Sequence, residues 1–354
     1  MTAITIPSHL QRIHELDFAP LAALVAKAFQ GAPLVCDPMP GGASTRRYFR
    51  VRVPAGGAVA MFVPDGANAE EVDSGATARA ARWPFLEVRD LLESRGVTVP
   101  RLYGEDMASG WLLLEDLGDD TLANFLCANP ARREELYVRA ARDLALAQIA
   151  LSQLPVGSVV AARAFDEHLL TWEIHHFREW ALEARGVVLA PADRHVFDTV
   201  AERLARRIAS WPRAFVHRDY QSRNLMVRAD GALCWIDFQD ALLGPRVYDL
   251  VALLNDSYQV FDRDFVNARL DDYAAARGID ARERETIARE FDLVTVQRKL
   301  KDAGRFVFID RVKSNPSFLK YFEATIAKAR ASLARLSDDE DMRALNGVLS
   351  RALR

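Results

Sequence analysis

A chain of 354 residues, half of them apolar and 27% charged, has the balance of an ordinary globular protein with room for one large core or two modest ones. Its net charge of −3 excludes the strongly basic surface that binds nucleic acid or an acidic membrane, so neither partner is expected. The cysteines, Cys36, Cys127 and Cys234, lie far apart with no CxxC pair, which excludes a zinc ribbon or disulfide framework and fits a reducing cytoplasm. The N-terminus, MTAITIPSHLQRIHEL, lacks the basic head and apolar run of a secretory signal, and no apolar stretch reaches the roughly 18 residues of a membrane helix. A soluble, cytoplasmic monomer is expected.

In chain order, residues 8–29 predict a helix from Leu10, Ile13, Leu16, Leu21, Leu24, Val25 and Phe29 at three- and four-residue spacing. Pro38, Pro40, Gly41 and Gly42 break it. Strands are expected over 48–53 and 58–63, joined through hairpin chemistry at 54–57, then a helix over 79–95 ended by Gly96, a strand over 98–103 and another over 111–115. From Pro130 helices dominate. Leu136, Ala140, Leu144, Ala147 and Leu151 mark one apolar face, Val196, Val200, Leu204 and Ile208 another, and 166–184 reads as a helix between them. Short strands near Phe215 and over 233–238 interrupt, and helices resume to the end. The pattern is α+β: a strand-rich part, 1–116, joined to a helix-rich part, 117–354.

The chemistry concentrates in two segments, Phe215-Val-His-Arg-Asp-Tyr-Gln-Ser-Arg-Asn224 and Leu233-Cys-Trp-Ile-Asp-Phe-Gln-Asp240. Apolar runs enter and leave a polar loop, which is expected at the mouth of a β-hairpin-like unit. His217-Arg218-Asp219 with Asn224 fits the kinase catalytic-loop pattern HRDxxxxN, and Asp237-Phe238-Gln239 stands where a metal-binding DFG follows. Phosphoryl transfer needs a carboxylate to take the proton of the attacking hydroxyl, which suits Asp219. Magnesium prefers oxygen ligands, which suits the Asn224 amide and the Asp237 carboxylate. Solvated turns flanking core strands are the bland alternative for either motif alone; both occurring in order argue against it.

These segments resemble the aminoglycoside phosphotransferase and choline kinase group. With Gly42-Ala-Ser-Thr-Arg-Arg-Tyr-Phe-Arg-Val51, Leu112-Leu-Leu-Glu-Asp-Leu-Gly118, Tyr248-Asp-Leu-Val251 and Gln297-Arg-Lys-Leu-Lys301, the nearer likeness is to the bacterial anomeric N-acetylmuramate/N-acetylglucosamine kinases of cell-wall recycling. The resemblance implies a two-lobed protein-kinase-like fold with a small β-rich N-lobe and a larger helical C-lobe. It also implies ATP and Mg2+ as cofactors and a small amino sugar as substrate. Gly42, Ser44, Thr45, Arg46 and Arg47 would then line the nucleotide phosphates, while Glu115 and Leu117 would form the adenine-reading hinge. Asp249 and His217 would support the catalytic loop rather than react.

No lysine lies between residues 28 and 298, and Met61 stands where an ATP-anchoring lysine is expected; Arg46 and Arg47 are the candidate substitutes. For the acceptor, Trp172, His176 and Trp180 recur every four residues, as a sugar-stacking stripe or as plain core. Tyr220, Arg223 and Asp240 flank the loops, and Arg223, Arg298 and Lys299 are candidates for an acceptor carboxylate. His175 and His176, being adjacent, cannot share a helix face for a metal. A same-fold kinase for another alcohol, such as an aminoglycoside, choline or homoserine, and a non-catalytic ATP-binding pseudokinase remain as alternatives.

Overall fold

The computed structural model describes residues 16–40, 45–53, 56–64, 82–257 and 259–353. The chain divides into two compact units. One holds the described residues up to Trp83 with Pro100–Asp119; the other holds Pro84–Val99 with the described residues from Asp120 onward.

Among the described residues, the first unit is a five-stranded antiparallel sheet of order β1-β2-β3-β5-β4 with one helix on it. Its strands are β1 (Cys36–Pro38), β2 (Arg47–Val53), β3 (Gly56–Phe62), β4 (Leu102–Asp106) and β5 (Trp111–Glu115). In β2 the alternation of Arg50 and Arg52 with Phe49 and Val51 buries the apolar pair and turns the arginines outward. Phe18, Phe49 and Phe62 gather around Trp111, with ring centroids 5.4, 5.6 and 4.9 Å from it. Such aromatic pairs contribute about 0.5–1.5 kcal/mol each beyond area burial. Helix α1 (Ala19–Ala28) drops Leu21 and Val25 onto this cluster. It begins later than expected because Pro20 pre-forms the first turn and the Asp17 carboxylate accepts the Ala19 N–H at 2.9 Å. The earlier part of the helix expected over 8–29, residues 8–15, lies outside the described residues. Likewise β4 starts at Leu102 rather than 98, since Pro100 has no N–H for a ladder.

The second unit is mainly helical. Helix α2 spans Pro84–Ser94; of the expected 79–95, residues 79–81 lie outside the described residues, and Trp83 is held out of the helix because it precedes a proline. Then come α3 (Leu122–Ala128), α4 (Arg133–Ala150), α5 (Glu167–His176), α6 (Pro191–Ala209), α7 (Tyr248–Leu254), α8 (Arg263–Ala276), the 33-residue α9 (Ala281–Lys313), α10 (Phe322–Arg335) and α11 (Glu340–Ala352). Asp166, Asp262, Asp280 and Asp339 cap α5, α8, α9 and α11 by accepting a backbone N–H three residues on. The helix expected over 166–184 is three pieces: α5, a π-helical turn over Phe177–Leu182 and a 3-10 turn over Glu183–Arg185, closed by Gly186 at φ 82°. Helix α9 packs on α5, α7, α8 and α10 and carries much of the core.

Two short antiparallel ribbons lie among the helices, β6 (Arg213–Val216) with β9 (Leu242–Pro245), and β7 (Leu225–Val227) with β8 (Leu233–Trp235). The polar loop 217–224 therefore does not close a hairpin, as expected from sequence; it runs from one ribbon to the other. Arg218 adopts φ 78°, and the buried Asp249 carboxylate takes the N–H groups of His217 and Arg218, so the chain leaves the β6 ribbon at that point.

Candidate active site

Strand β6 ends at Val216, and the next two peptides are gripped by Asp249 in the first turn of α7. Its carboxylate accepts the His217 N–H at 2.6 Å and the Arg218 N–H at 3.0 Å. Burial pushes the Asp249 carboxyl up to about 7, against the pull of those donors and of Arg298. His217 is fully buried, its ring edge-on to Tyr220 and Trp235, and burial pushes its imidazole down to about 4. Its Nδ1 accepts the Asp219 N–H at 3.3 Å. At neutral pH this enclosed ring is uncharged.

Asp219 follows, its side chain 38% exposed. Burial pushes this carboxyl up, but Arg298, Lys301, Arg218 and His217 together outweigh it and hold the group below the usual carboxylate value. At neutral pH it is an anion. Asn224 Nδ2 donates to the Asp219 carbonyl at 2.9 Å. A carbonyl only accepts, so the amide orientation is settled and Oδ1 points away from it. The Asn224 carbonyl in turn accepts the Ile236 N–H at 3.0 Å. The β7–β8 ribbon thus brings the Asp219–Asn224 loop beside the turn that presents Asp237, an exposed residue at φ 64°. Phe238, the next residue, is fully buried and stacks on Phe85 of α2 at 5.0 Å, which anchors the turn. Gln239 Nε2 donates to both Asp237 Oδ1, at 3.1 Å, and Asp240 Oδ2, at 3.0 Å. The two exposed acids are therefore laced together by a buried amide.

Among the described residues no group of three or more His, Cys, Asp or Glu side chains is arranged to hold a metal. The available donors are one carboxamide oxygen and one carboxylate. These are hard oxygen ligands that leave coordination positions for phosphate and water, the set a magnesium ion takes beside a nucleotide. The residues fit the ion.

Several sequence candidates have other employment. Tyr220 is buried and donates its hydroxyl to Ala140 O at 3.0 Å. Lys299 is buried on Asp302 at 2.8 Å. Arg298 is 1% exposed and donates to Arg218 O at 2.8 Å, so neither of these two cations faces solvent to receive an acceptor carboxylate. Arg223 is exposed, within 3.4 Å of the Tyr321 hydroxyl. The aromatic stripe splits: His176 is buried against Trp172, Trp180 and Phe308 and pushed down to about 4 by burial, while Trp172 is 44% exposed and stacked on it at 5.4 Å.

In the first unit, Gly42 and Ser44 lie outside the described residues. Thr45 and Arg46 precede β2, and Arg47 opens it opposite Phe62. Glu115 closes β5, its carboxylate accepting the Arg101 N–H at 3.2 Å, and Leu117 follows. Met61 is fully buried between Tyr48 and Leu112. Sequence reasoning missed Arg50, which pairs with Asp116 at 3.0 Å and Asp119 at 2.8 Å. It also missed Glu173, a fully buried acid on α5 held by Gln297 Nε2 at 2.7 Å and lying 3.8 Å from Arg218. An acid inside an apolar helix face was the available signal for Glu173.

Residues 35–286 match the model of the phosphotransferase enzyme family. This chain belongs to that family. The phosphotransferase is 34% identical to the N-acetylmuramate/N-acetylglucosamine kinase of Pseudomonas aeruginosa, over 86% of this chain and 88% of that one. It is 31% identical to the protein of the same name from Neisseria meningitidis serogroup B, over 85% and 90% of the two chains. Among solved structures it superposes on the choline kinase LicA from Streptococcus pneumoniae with a TM-score of 0.58 at 14% identity, covering 90% of this chain and all of that one, 100%. An ADP-bound aminoglycoside phosphotransferase gives 0.56 at 16% identity, over 88% and 97%. At such identities these structures speak for the fold, which is the expected protein-kinase-like one. No helix among the described residues of this phosphotransferase is long and apolar enough to cross a membrane.

Proposed function

We propose that this phosphotransferase uses ATP and Mg2+ to phosphorylate the anomeric hydroxyl of an amino sugar, N-acetylmuramate or N-acetylglucosamine, in the cytoplasmic recycling of cell-wall fragments. The observation that supports the reaction type is the pair of hydrogen bonds, Asn224 Nδ2 to Asp219 O and Ile236 N to Asn224 O, which brings Asp219, Asn224 and Asp237 to adjoining turns. The sugar is supported by the names of the relatives at 31–34% identity.

Asp219 accepts the proton of the acceptor hydroxyl as that oxygen attacks phosphorus. Its depressed pKa keeps it anionic, so the hydroxyl is oriented by a charge-assisted hydrogen bond before transfer. Asn224 and Asp237 would hold the metal ion, which when bound screens charge on the transferred phosphoryl group. Gln239 keeps Asp237 and Asp240 from splaying apart. In the first unit Thr45, Arg46 and Arg47 are assigned to the nucleotide phosphates and Glu115 and Leu117 to adenine. The exposed face of Trp172, backed by His176, suits the apolar face of a sugar ring, and Arg223 suits an acceptor carboxylate.

The test is a panel of acceptors, N-acetylmuramate, N-acetylglucosamine, kanamycin and choline, each incubated with ATP and Mg2+ while ADP release is followed. Turnover with the two amino sugars and little with kanamycin or choline is expected. The reverse pattern would reassign the acceptor, and ADP release with none of them would remove the catalytic reading.

A further inference from the structure

Arg298 is among the largest fully buried side chains of the second unit, and it lies on α9, 79 positions along the chain from the loop it touches. Burying a guanidinium is costly, and an apolar side chain of similar volume would serve packing better. Its surroundings say what it is for. The guanidinium lies over the Tyr248 ring at 4.6 Å, with Asp302 4.0 Å from Nε. Both Nη atoms reach the catalytic loop: Nη1 donates to Arg218 O at 2.8 Å, and Nη2 approaches Asp219 Oδ1 at 3.4 Å.

Arg218 sits at φ 78°, a left-handed conformation that residues other than glycine adopt at a cost. Asp249 holds the N–H of this strained residue and Arg298 holds its carbonyl, so the distortion is clamped by the peptides on either side. The carboxylate is treated asymmetrically. Arg298 Nη2 and Gln221 Nε2, each at 3.4 Å, both address Oδ1.

We infer that Arg298 is a positioning residue: it locks the Arg218–Asp219 peptide and engages Asp219 Oδ1, so that Oδ2 is the oxygen presented to the acceptor hydroxyl. This rests on Asp219 being the base, as proposed above. It explains why a buried cation, rather than a leucine, occupies the middle of α9. It also sets this arginine apart from Lys299, whose partners are Asp302 and Ser257 and not the loop.

The experiment compares wild type with Arg298→Ala, Arg298→Lys and Asp219→Asn, using whichever acceptor of the panel turns over fastest. It measures kcat, both KM values, ADP affinity by intrinsic fluorescence, and melting temperature. Arg298→Ala is expected to lower kcat by roughly 10²-fold with KM and ADP affinity within about threefold, and added guanidinium is expected to restore part of the loss. Arg298→Lys keeps the charge but cannot span both oxygens, so kcat is expected to fall while the melting temperature holds. Wild-type kcat in either variant would overturn the inference. So would a kcat loss that only tracks lost ADP affinity and melting temperature, or insolubility of both variants, since either result would make Arg298 a packing residue. Full turnover in Asp219→Asn would instead overturn the base assignment. Loss in Asp219→Asn without loss in the Arg298 variants would leave the base in place and reject only the positioning role.

Discussion

Asp219, the proposed base, is held in place by its neighbours. His217 and Asn224 hold its backbone, Asp249 holds the two residues before it, and Arg298, Lys301 and Arg218 keep it ionised in a setting that burial would otherwise neutralise. Asp219→Asn is therefore expected to lower kcat by roughly 10²- to 10⁴-fold with little change in nucleotide affinity, as steady-state kinetics and a binding titration would show. Asp237→Ala is expected to abolish metal-dependent turnover and to weaken Mn2+ binding followed by electron paramagnetic resonance; unchanged Mn2+ binding would discard its role as ligand.

The buried histidines give a pH expectation of defined sign. His176 and His217, both near 4, lie below the unfolded value of about 6.5. The unfolded chain thus binds more protons between those values, and their contribution to stability is lost as pH falls through that window. Asp143 and Asp249, pushed up to about 6 and about 7 by burial, act oppositely. They bind protons in the folded chain that the unfolded chain releases from about 4 upward, so their contribution is lost as pH rises. The net effect on stability is partly cancelled, which makes single-site titration the better measurement. Imidazole NMR signals of His176 and His217 should hold steady from pH 8 to about 5 and shift only near 4. Midpoints above 6 would contradict their enclosed setting.

At the scale of elements, α5 and α9 meet closely enough to share buried charge. A Cβ on Gly304 of α9 would lie 2.7 Å from His176 O and 2.9 Å from Phe177 Cα, backbone that cannot swing aside. This is the point where α5 passes into its π-helical turn, and it is what lets Glu173 meet Gln297. Gly304→Ala is expected to destabilise the protein by about 1–3 kcal/mol through overpacking, read as a lower denaturation midpoint. An unchanged midpoint would show that the helices separate freely. The same contact marks where sequence reading stopped. The loop from His217 to Asn224 and the Asp237 turn were legible because short polar runs stood between apolar strands. The pairing of β6 with β9, which sets Val216 opposite Leu242 and Arg213 opposite Pro245, was not, since no local signal tells a strand to choose a distant partner over the next one. Glu173 stood out as an acid on an apolar helix face, but nothing local marks Arg298 as buried among the many charges of α9.

For the whole molecule, the motif order, fold class and family were readable because the kinase-like motifs sit in contiguous runs. The acceptor was readable only by likeness, since no motif in the sequence specifies it. The central claim is transfer to an anomeric oxygen. It is tested most directly by 31P NMR of the product formed from ATP, Mg2+ and N-acetylglucosamine. A phosphorus signal coupled to the anomeric proton, and lost on mild acid hydrolysis, is the expected result. A signal coupled to the C6 methylene protons, stable to the same acid, would contradict it.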